Sequence, residues 1–131
     1  MRDERGSGLL GSVLGVGILI ALLGLASNVA LGLWTRSTVD AVAYDAARDV
    51  ATAPSGSDPA AVRSAAVHRA EALLGRYGRR VDLRFEGAWT APSVTLRVRA
   101  PGISLLPRML GDGPVVGALD RRIVVAREPA P

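Results

Sequence analysis

The stretch GSGLLGSVLGVGILIALLGLASNVALGLWT, residues 6–35, runs for thirty residues without a charged side chain. A helix rises about 1.5 Å per residue, so residues 9–33 would extend roughly 37 Å, and a bilayer core is about 30 Å thick. The stretch is therefore long enough to cross a membrane once. It follows a short charged segment, residues 1–6, and continues without a turn signal into a second helical pattern. We predict a leader at 1–6 and a membrane-spanning, extended helix at 7–53.

Trp34 and Arg36 close the apolar stretch. Trp favours the headgroup level of a membrane, and Arg can extend its guanidinium group to that level. These two residues are the predicted membrane interface. Because a long folded domain follows one short leader, we expect a single pass through the inner or cytoplasmic membrane with an extracytoplasmic C-terminus.

Small residues recur at a spacing of four along this span, and in a membrane helix such a stripe lets a second helix approach closely. The alternative is that they face lipid and contact no partner. The first stripe begins at Ser7, and its predicted helix-packing residues are Gly11 and Gly15. The predicted helix-packing residues of the second stripe are Gly24, Asn28 and Gly32.

A secretory signal peptide is the alternative to an anchor. Gly24-Leu25-Ala26 before Ser27 is a small-x-small cleavage pattern after an apolar stretch. The apolar stretch is long for a signal sequence, however, and it continues past this site to Leu33. Cleavage there would release a secreted domain.

Beyond the span, the periodicity of apolar residues predicts an α+β domain over residues 54–131. An apolar stripe from Val39 to Val50 continues the first helix on one face. Asp58 and Pro59 can begin a second helix that ends at Gly75. Its predicted inner face consists of Val62, Ala66, Ala70, Leu73 and Leu74.

Alternating apolar and polar residues then predict a small antiparallel sheet of about three strands. The first two strands surround a turn at 87–93 and form a hairpin, and the third covers residues 121–127. The intervening segment, residues 101–119, is rich in Gly and Pro and also in large apolar side chains. These either cover the sheet or the long helix, or contact a partner or the outer leaflet. The candidate partner-contact residues are Leu105, Leu106, Met109 and Leu110, together with Ile103.

The composition offers little to a catalyst. The chain has no Cys and one His, His68, and all sixteen of its basic residues are Arg. Most arrangements of a nucleophile and a base are therefore excluded, and we expect no enzyme activity, no metal and no cofactor. The net charge of +4 favours acidic partners, including membrane lipid.

A basic cluster is the other candidate site. Arg76, Arg79 and Arg80 surround Tyr77, and the hairpin adds further arginines that can lie on its outer face. Such a cluster could bind phosphate groups. Asp82 and Glu86 interrupt it, and one aromatic residue is available for stacking. We therefore expect a solvated, ion-paired face and do not expect nucleic acid as a partner.

The segment Glu4-Arg5-Gly6-Ser7-Gly8 before a long apolar helix resembles the start of TadE-like proteins. These are minor pilins, or pseudopilins, of the Flp/Tad branch of type IV pili. The stretch LWTRSTVDAVAYDAAR, residues 33–48, adds an aromatic-x-Arg boundary and an Ala-rich helix that ends in Ala-Ala-Arg. The resemblance covers roughly the first 53 residues.

The resemblance implies cleavage between Gly6 and Ser7 by a prepilin peptidase. It also implies non-enzymatic work in the assembly or structure of a Tad-type pilus or related secretion apparatus. Other pilins and the assembly platform would be the partners of this protein. The cell-surface pilus would be a further location for it. Prepilins usually carry Glu at the fifth mature position, which is Gly11 here; this departure favours a tip, priming or membrane-resident role. The alternative is a generic single-pass, membrane-anchored extracytoplasmic binding protein.

Overall fold

The computed structural model describes residues 5–102 and 118–127. Helix α1, Arg5–Ala51, is continuous over 47 residues and extends for about 70 Å. It is followed by α2 (Pro59–Leu74), a 3-10 helix (Gly75–Arg80) and the strands β1 (Asp82–Glu86), β2 (Ser93–Ala100) and β3 (Leu119–Ala126). The strands form one antiparallel sheet in the order β1-β2-β3. The α+β prediction, with its long helix, second helix and three-stranded sheet, is confirmed.

Helix α2 begins and ends at the residues that the sequence indicates. The Asp58 carboxylate accepts a hydrogen bond of 3.1 Å from the Ala60 N–H, and Pro59 occupies the first helical turn. Gly75 ends the helix with φ of 58°, a left-handed conformation that costs glycine little. The chain then enters the 3-10 helix, which the sequence does not predict.

Small side chains let the two helices pack closely. Ala66 and Ala70 of α2 are buried, and they belong to the same core as the Ala-rich face of α1. The predicted stripe from Val39 to Val50 is confirmed as that face. Leu73, however, is 66% exposed and does not belong to the inner face. In the last turn of α2 the residue that packs against the core is Leu74, and Leu73 lies about 100° around the helix from Leu74.

The sheet covers the outer half of α1 with one face. Val94, Leu96 and Val98 alternate along the central strand and are buried, and the outer strands add Leu83 and Leu119. Arg121 of β3 faces the same side and donates a hydrogen bond of 3.2 Å to Asp40 of α1. β3 therefore begins beside Asp40, and its other end, near Arg127, lies close to Ala51.

The third strand begins two residues before the predicted start. Leu119 and Asp120 pair with Ala100 and Arg99 of β2, so they extend the ladder although they follow a Gly-rich stretch. The predicted inward residues Ile123 and Val125 do pack against the core. The predicted partner-contact residues Leu105, Leu106, Met109 and Leu110 lie outside the described residues.

Candidate functional site

The first half of α1 is an apolar helix that its own domain does not cover. Its most apolar window has a mean hydropathy of 2.3 and none of that window is buried. Leu10, Leu14 and Ile20 are 75%, 67% and 64% exposed. The Ser12 hydroxyl donates a hydrogen bond of 2.9 Å to the Gly8 carbonyl of the same helix. By length and composition this helix could be a membrane anchor or a signal sequence.

The small residues of the span fall into two environments. A Cβ added at Gly11, Gly15 or Gly24 would meet nothing within 4 Å. Asn28 is 1% exposed and Gly32 is also buried. The stripe that follows Ser7 is therefore open to a second helix, whereas most of the second stripe is already covered by the chain itself. The predicted cleavage pair, Gly6 and Ser7, lies in the first turn of α1.

The interface residues lie where burial of α1 changes. Trp34 is 68% exposed, and Arg36 is also exposed. Thr35, between them, is 9% exposed and donates its hydroxyl proton to the Leu31 carbonyl at 2.8 Å. Four residues further on, Val39 begins the hydrophobic core at 1% exposure. On one face, burial begins earlier, at Asn28 and Gly32, whereas the hydrophobic core begins about one turn after residue 36.

The outer face of the sheet carries opposite charges in register. Arg97 of the central strand donates two hydrogen bonds of 3.1 Å to the Asp120 carboxylate, and Arg99 bonds the same carboxylate at 3.2 Å. Hydrogen bonding to Arg97 lowers the pKa of Asp120, and the same hydrogen bond raises the pKa of Arg97. Glu86 pairs with Arg122 at 3.0 Å. This face is solvated and ion-paired, as predicted for the hairpin arginines.

A second group of arginines is separated from that face. Arg76, Arg79 and Arg80 lie on the exposed side of the 3-10 helix, and we call them the basic end. Within it, Tyr77 donates its hydroxyl proton to the Pro101 carbonyl, at the end of β2. Partial burial raises the pKa of Tyr77, and the Arg80 guanidinium opposes that rise. An open depression of about 490 Å³ is lined by Gly75, Arg76 and Arg79.

A third cluster holds the tip of the hairpin. The Arg127 guanidinium stacks 4.3 Å from the centre of the Trp89 ring and donates to the Trp89 carbonyl. The Arg63 guanidinium lies 6.0 Å from the same ring and donates to the Gly87 carbonyl at 3.0 Å. Residues 63, 89 and 127 lie far apart in sequence, and no local pattern indicates this contact. The cluster fixes the β1–β2 turn to α2 and to the end of β3.

The ionisable groups offer little for chemistry. His68 is exposed and lies 3.7 Å from Glu71 of the same helix. No three His, Asp or Glu side chains within residues 5–102 and 118–127 are grouped so that they could hold a metal ion. The cavities found among these residues are open depressions, each with two arginines in its lining.

Comparisons with protein-family models, with curated proteins and with solved structures find no match to this chain.

Proposed function

We propose that this chain is a membrane-anchored, non-enzymatic minor pilin or pseudopilin of the TadE-like kind. It would act in the assembly or structure of a Tad-type pilus or a related secretion apparatus. The observation that carries the proposal is one unbroken helix, Arg5–Ala51. Its first half is exposed and apolar, and its second half forms the core of a small α+β domain. A helix that continues from a membrane into such a domain is the arrangement that the sequence resemblance implies.

The distribution of exposed apolar residues favours an anchor over a secreted domain. Cleavage before Ser27 would leave Leu31, Leu33 and Trp34 on the released domain, where they are 42%, 58% and 68% exposed. Exposed apolar side chains on neighbouring turns make a soluble product prone to associate. In a membrane-spanning helix the same residues would face lipid and the interface.

N-terminal sequencing of the protein recovered from the membrane fraction tests the proposal. We expect the mature chain to begin at Ser7, because the charged leader ends in Gly6 directly before the apolar helix. Gly6→Leu should block this cleavage, and Gly8→Leu, two residues beyond, serves as the control. A chain that begins at Ser27 and is recovered from the medium would contradict the anchor.

A second experiment tests the assembly role itself. Crosslinking in membranes that contain the assembly platform and the other pilins should capture neighbours through α1. An anchored protein without any such neighbour would instead support the generic extracytoplasmic binding protein.

A further inference from the structure

The basic end combines three exposed arginines on one turn-like segment whose backbone is fixed. Gly75 allows the sharp change of direction after α2. Gly78 packs against the backbone of Glu71, so closely that an added Cβ would lie 2.4 Å from the Glu71 carbonyl oxygen. Tyr77 is held by its hydrogen bond to Pro101. The three guanidinium groups therefore extend from a segment that is anchored to both α2 and the sheet.

Charge compensation separates the basic end from the other arginines. On the outer sheet face, Arg84, Arg97 and Arg122 each lie within 4.0 Å of a carboxylate oxygen. Among the residues that the structure describes, Arg76, Arg79 and Arg80 form no ion pair. A surface with three uncompensated positive charges favours an anionic partner.

The topology places this end of the domain beside the apolar half of α1. Arg121 contacts Asp40, and Asp82 at the start of β1 pairs with Arg99, which pairs with Asp120. The start of β1 is thus about one residue, roughly 3 Å, closer to the apolar half than Arg121. The 3-10 helix precedes β1, so Arg80 lies at most about 10 Å, or about six residues of helix, from the level of Asp40 toward the apolar half. The basic end is therefore on the side of the domain that faces Trp34 and Arg36.

We infer that the basic end binds the phosphate groups of anionic lipids in the leaflet where α1 leaves the bilayer. This inference rests on the membrane anchor of the proposed function. A planar guanidinium group can bond two phosphate oxygens at once, and basic residues beside a membrane helix are attracted to anionic headgroups. The bound lipids hold the domain against the membrane surface and so limit the tilt of α1 and the domain relative to the membrane. Nucleic acid fits less well, because Tyr77 already bonds Pro101 and no further aromatic residue lies in the basic end.

The chain offers a background-free probe because it contains no native Cys. Ala72→Cys, an exposed position one turn before the basic end, is introduced in the full chain. The protein is reconstituted into vesicles and then labelled with a membrane-impermeant fluorophore. Quenching by a lipid that carries a nitroxide on its headgroup reports how close the basic end comes to the membrane. Vesicles of phosphatidylcholine are compared with vesicles that also contain phosphatidylglycerol.

We expect stronger quenching in the vesicles that contain phosphatidylglycerol, and we expect added salt to weaken it. Each arginine near an anionic surface changes the equilibrium constant for docking by about fivefold. Gln at positions 76, 79 and 80 together should therefore lower that constant on the order of a hundredfold. Lys at the same three positions should retain most of it. Arg84→Gln, Arg99→Gln and Arg122→Gln together make the same change in charge on the outer sheet face and should leave quenching unchanged.

Equal quenching in both kinds of vesicle would overturn the inference, as would equal losses in the basic-end and outer-face variants. Binding of an anionic oligonucleotide in preference to phosphatidylglycerol would also overturn it. Flotation of the same vesicles distinguishes this failure from failure of the anchor. A chain that floats with the vesicles but shows no lipid-dependent quenching retains its anchor, whereas a chain that leaves both kinds of vesicle lacks the anchor as well.

Discussion

Gly78 of the 3-10 helix packs against the backbone of Glu71 in α2. An added Cβ would lie 2.4 Å from the carbonyl oxygen of Glu71 and 3.0 Å from two further backbone atoms of that residue. Backbone atoms cannot turn aside as a flexible side chain can. We expect Gly78→Ala to lower the free energy of unfolding by about 1–3 kcal/mol, the usual cost of overpacking. Denaturant unfolding of the full chain in detergent, followed by tryptophan fluorescence, measures it.

Gly56→Ala is the matched control for that substitution. A Cβ at Gly56 meets nothing within 4 Å, and its φ is not positive. We expect a change within about 0.5 kcal/mol there. If the two variants unfold alike, the close packing of the 3-10 helix on α2 does not contribute to stability.

Asp120 makes the stability of the sheet depend on pH. Hydrogen bonding to Arg97 lowers its pKa in the folded protein. Its interaction energy is therefore present above the unfolded-state pKa of about 3.9 and is lost as the pH falls through the lower folded value. We expect the thermal midpoint to fall on acidification below about pH 4, and to fall less steeply in Asp120→Asn. Thermal unfolding from neutral pH to about pH 2 measures both.

Asp45→Asn is the control for the acid range. Asp45 is an exposed carboxylate on α1, and it forms no ion pair within the described ranges 5–102 and 118–127. This variant should retain the steep acid dependence. A profile for Asp120→Asn that overlays the wild-type profile would mean that other carboxylates determine the acid transition.

Among the elements, α1 carries the prediction that bears most directly on partners. Gly11 and Gly15 have open space where a side chain would lie, so Leu fits there in a lone helix but blocks close approach of a second one. We expect Gly11→Leu with Gly15→Leu to insert into the membrane normally. Crosslinking of α1 to neighbouring helices should fall several-fold.

The same helix offers an off-stripe control. Ser12 and Val16 are also exposed and four residues apart, but they lie about 100° around the helix from Gly11 and Gly15 and on neither stripe. Ser12→Leu with Val16→Leu should therefore leave crosslinking unchanged. Equal crosslinking in wild type and in both double variants would show that the glycines face lipid.

The ends of the helices and strands differ in how far neighbouring residues in the sequence determine them. Asp58, Pro59 and Gly75 determine the ends of α2 through cap and φ preferences of single residues, so the sequence alone predicts them. The start of β3 at Leu119 depends on pairing with Ala100, nineteen positions away. No local preference contains that information, and the sequence places the strand two residues too late.

The candidate sites divide in the same way. The apolar span and its boundary at Trp34 and Arg36 are continuous in sequence and can be read from it directly. The sequence groups the arginines into one basic cluster, but in the fold they form two surfaces. Strand register brings Asp120 to Arg97, whereas Arg79 lies in the 3-10 helix and pairs with no carboxylate among the described residues. The Trp89 cluster depends on contacts among three separate parts of the chain, so the sequence alone does not predict it.

At the scale of the whole molecule, the apolar half of α1 and the domain share one helix but not one hydrophobic core. Among the described residues, every buried hydrophobic side chain lies at Val39 or beyond it. Cutting the chain in the helix should therefore release a folded domain. How that domain behaves in water depends on where the cut is made, because Leu31, Leu33 and Trp34 are 42%, 58% and 68% exposed.

Two fragments separate the membrane anchor from the secreted alternative. Residues 35–131 keep the whole described hydrophobic core and lose the exposed apolar turns, so we expect a soluble monomer with helix and sheet content. Residues 27–131 retain those turns and should associate, because contiguous exposed apolar surface on a small domain favours self-contact. Size-exclusion chromatography and far-UV circular dichroism of both fragments measure this. A fragment from Ser27 that stays monomeric would make the secreted product viable, whereas a fragment from Thr35 that does not fold would place part of the domain's stability in the apolar half. Association of the longer fragment alone would mean that residues 27–34 require an apolar environment, which a bilayer around α1 would supply.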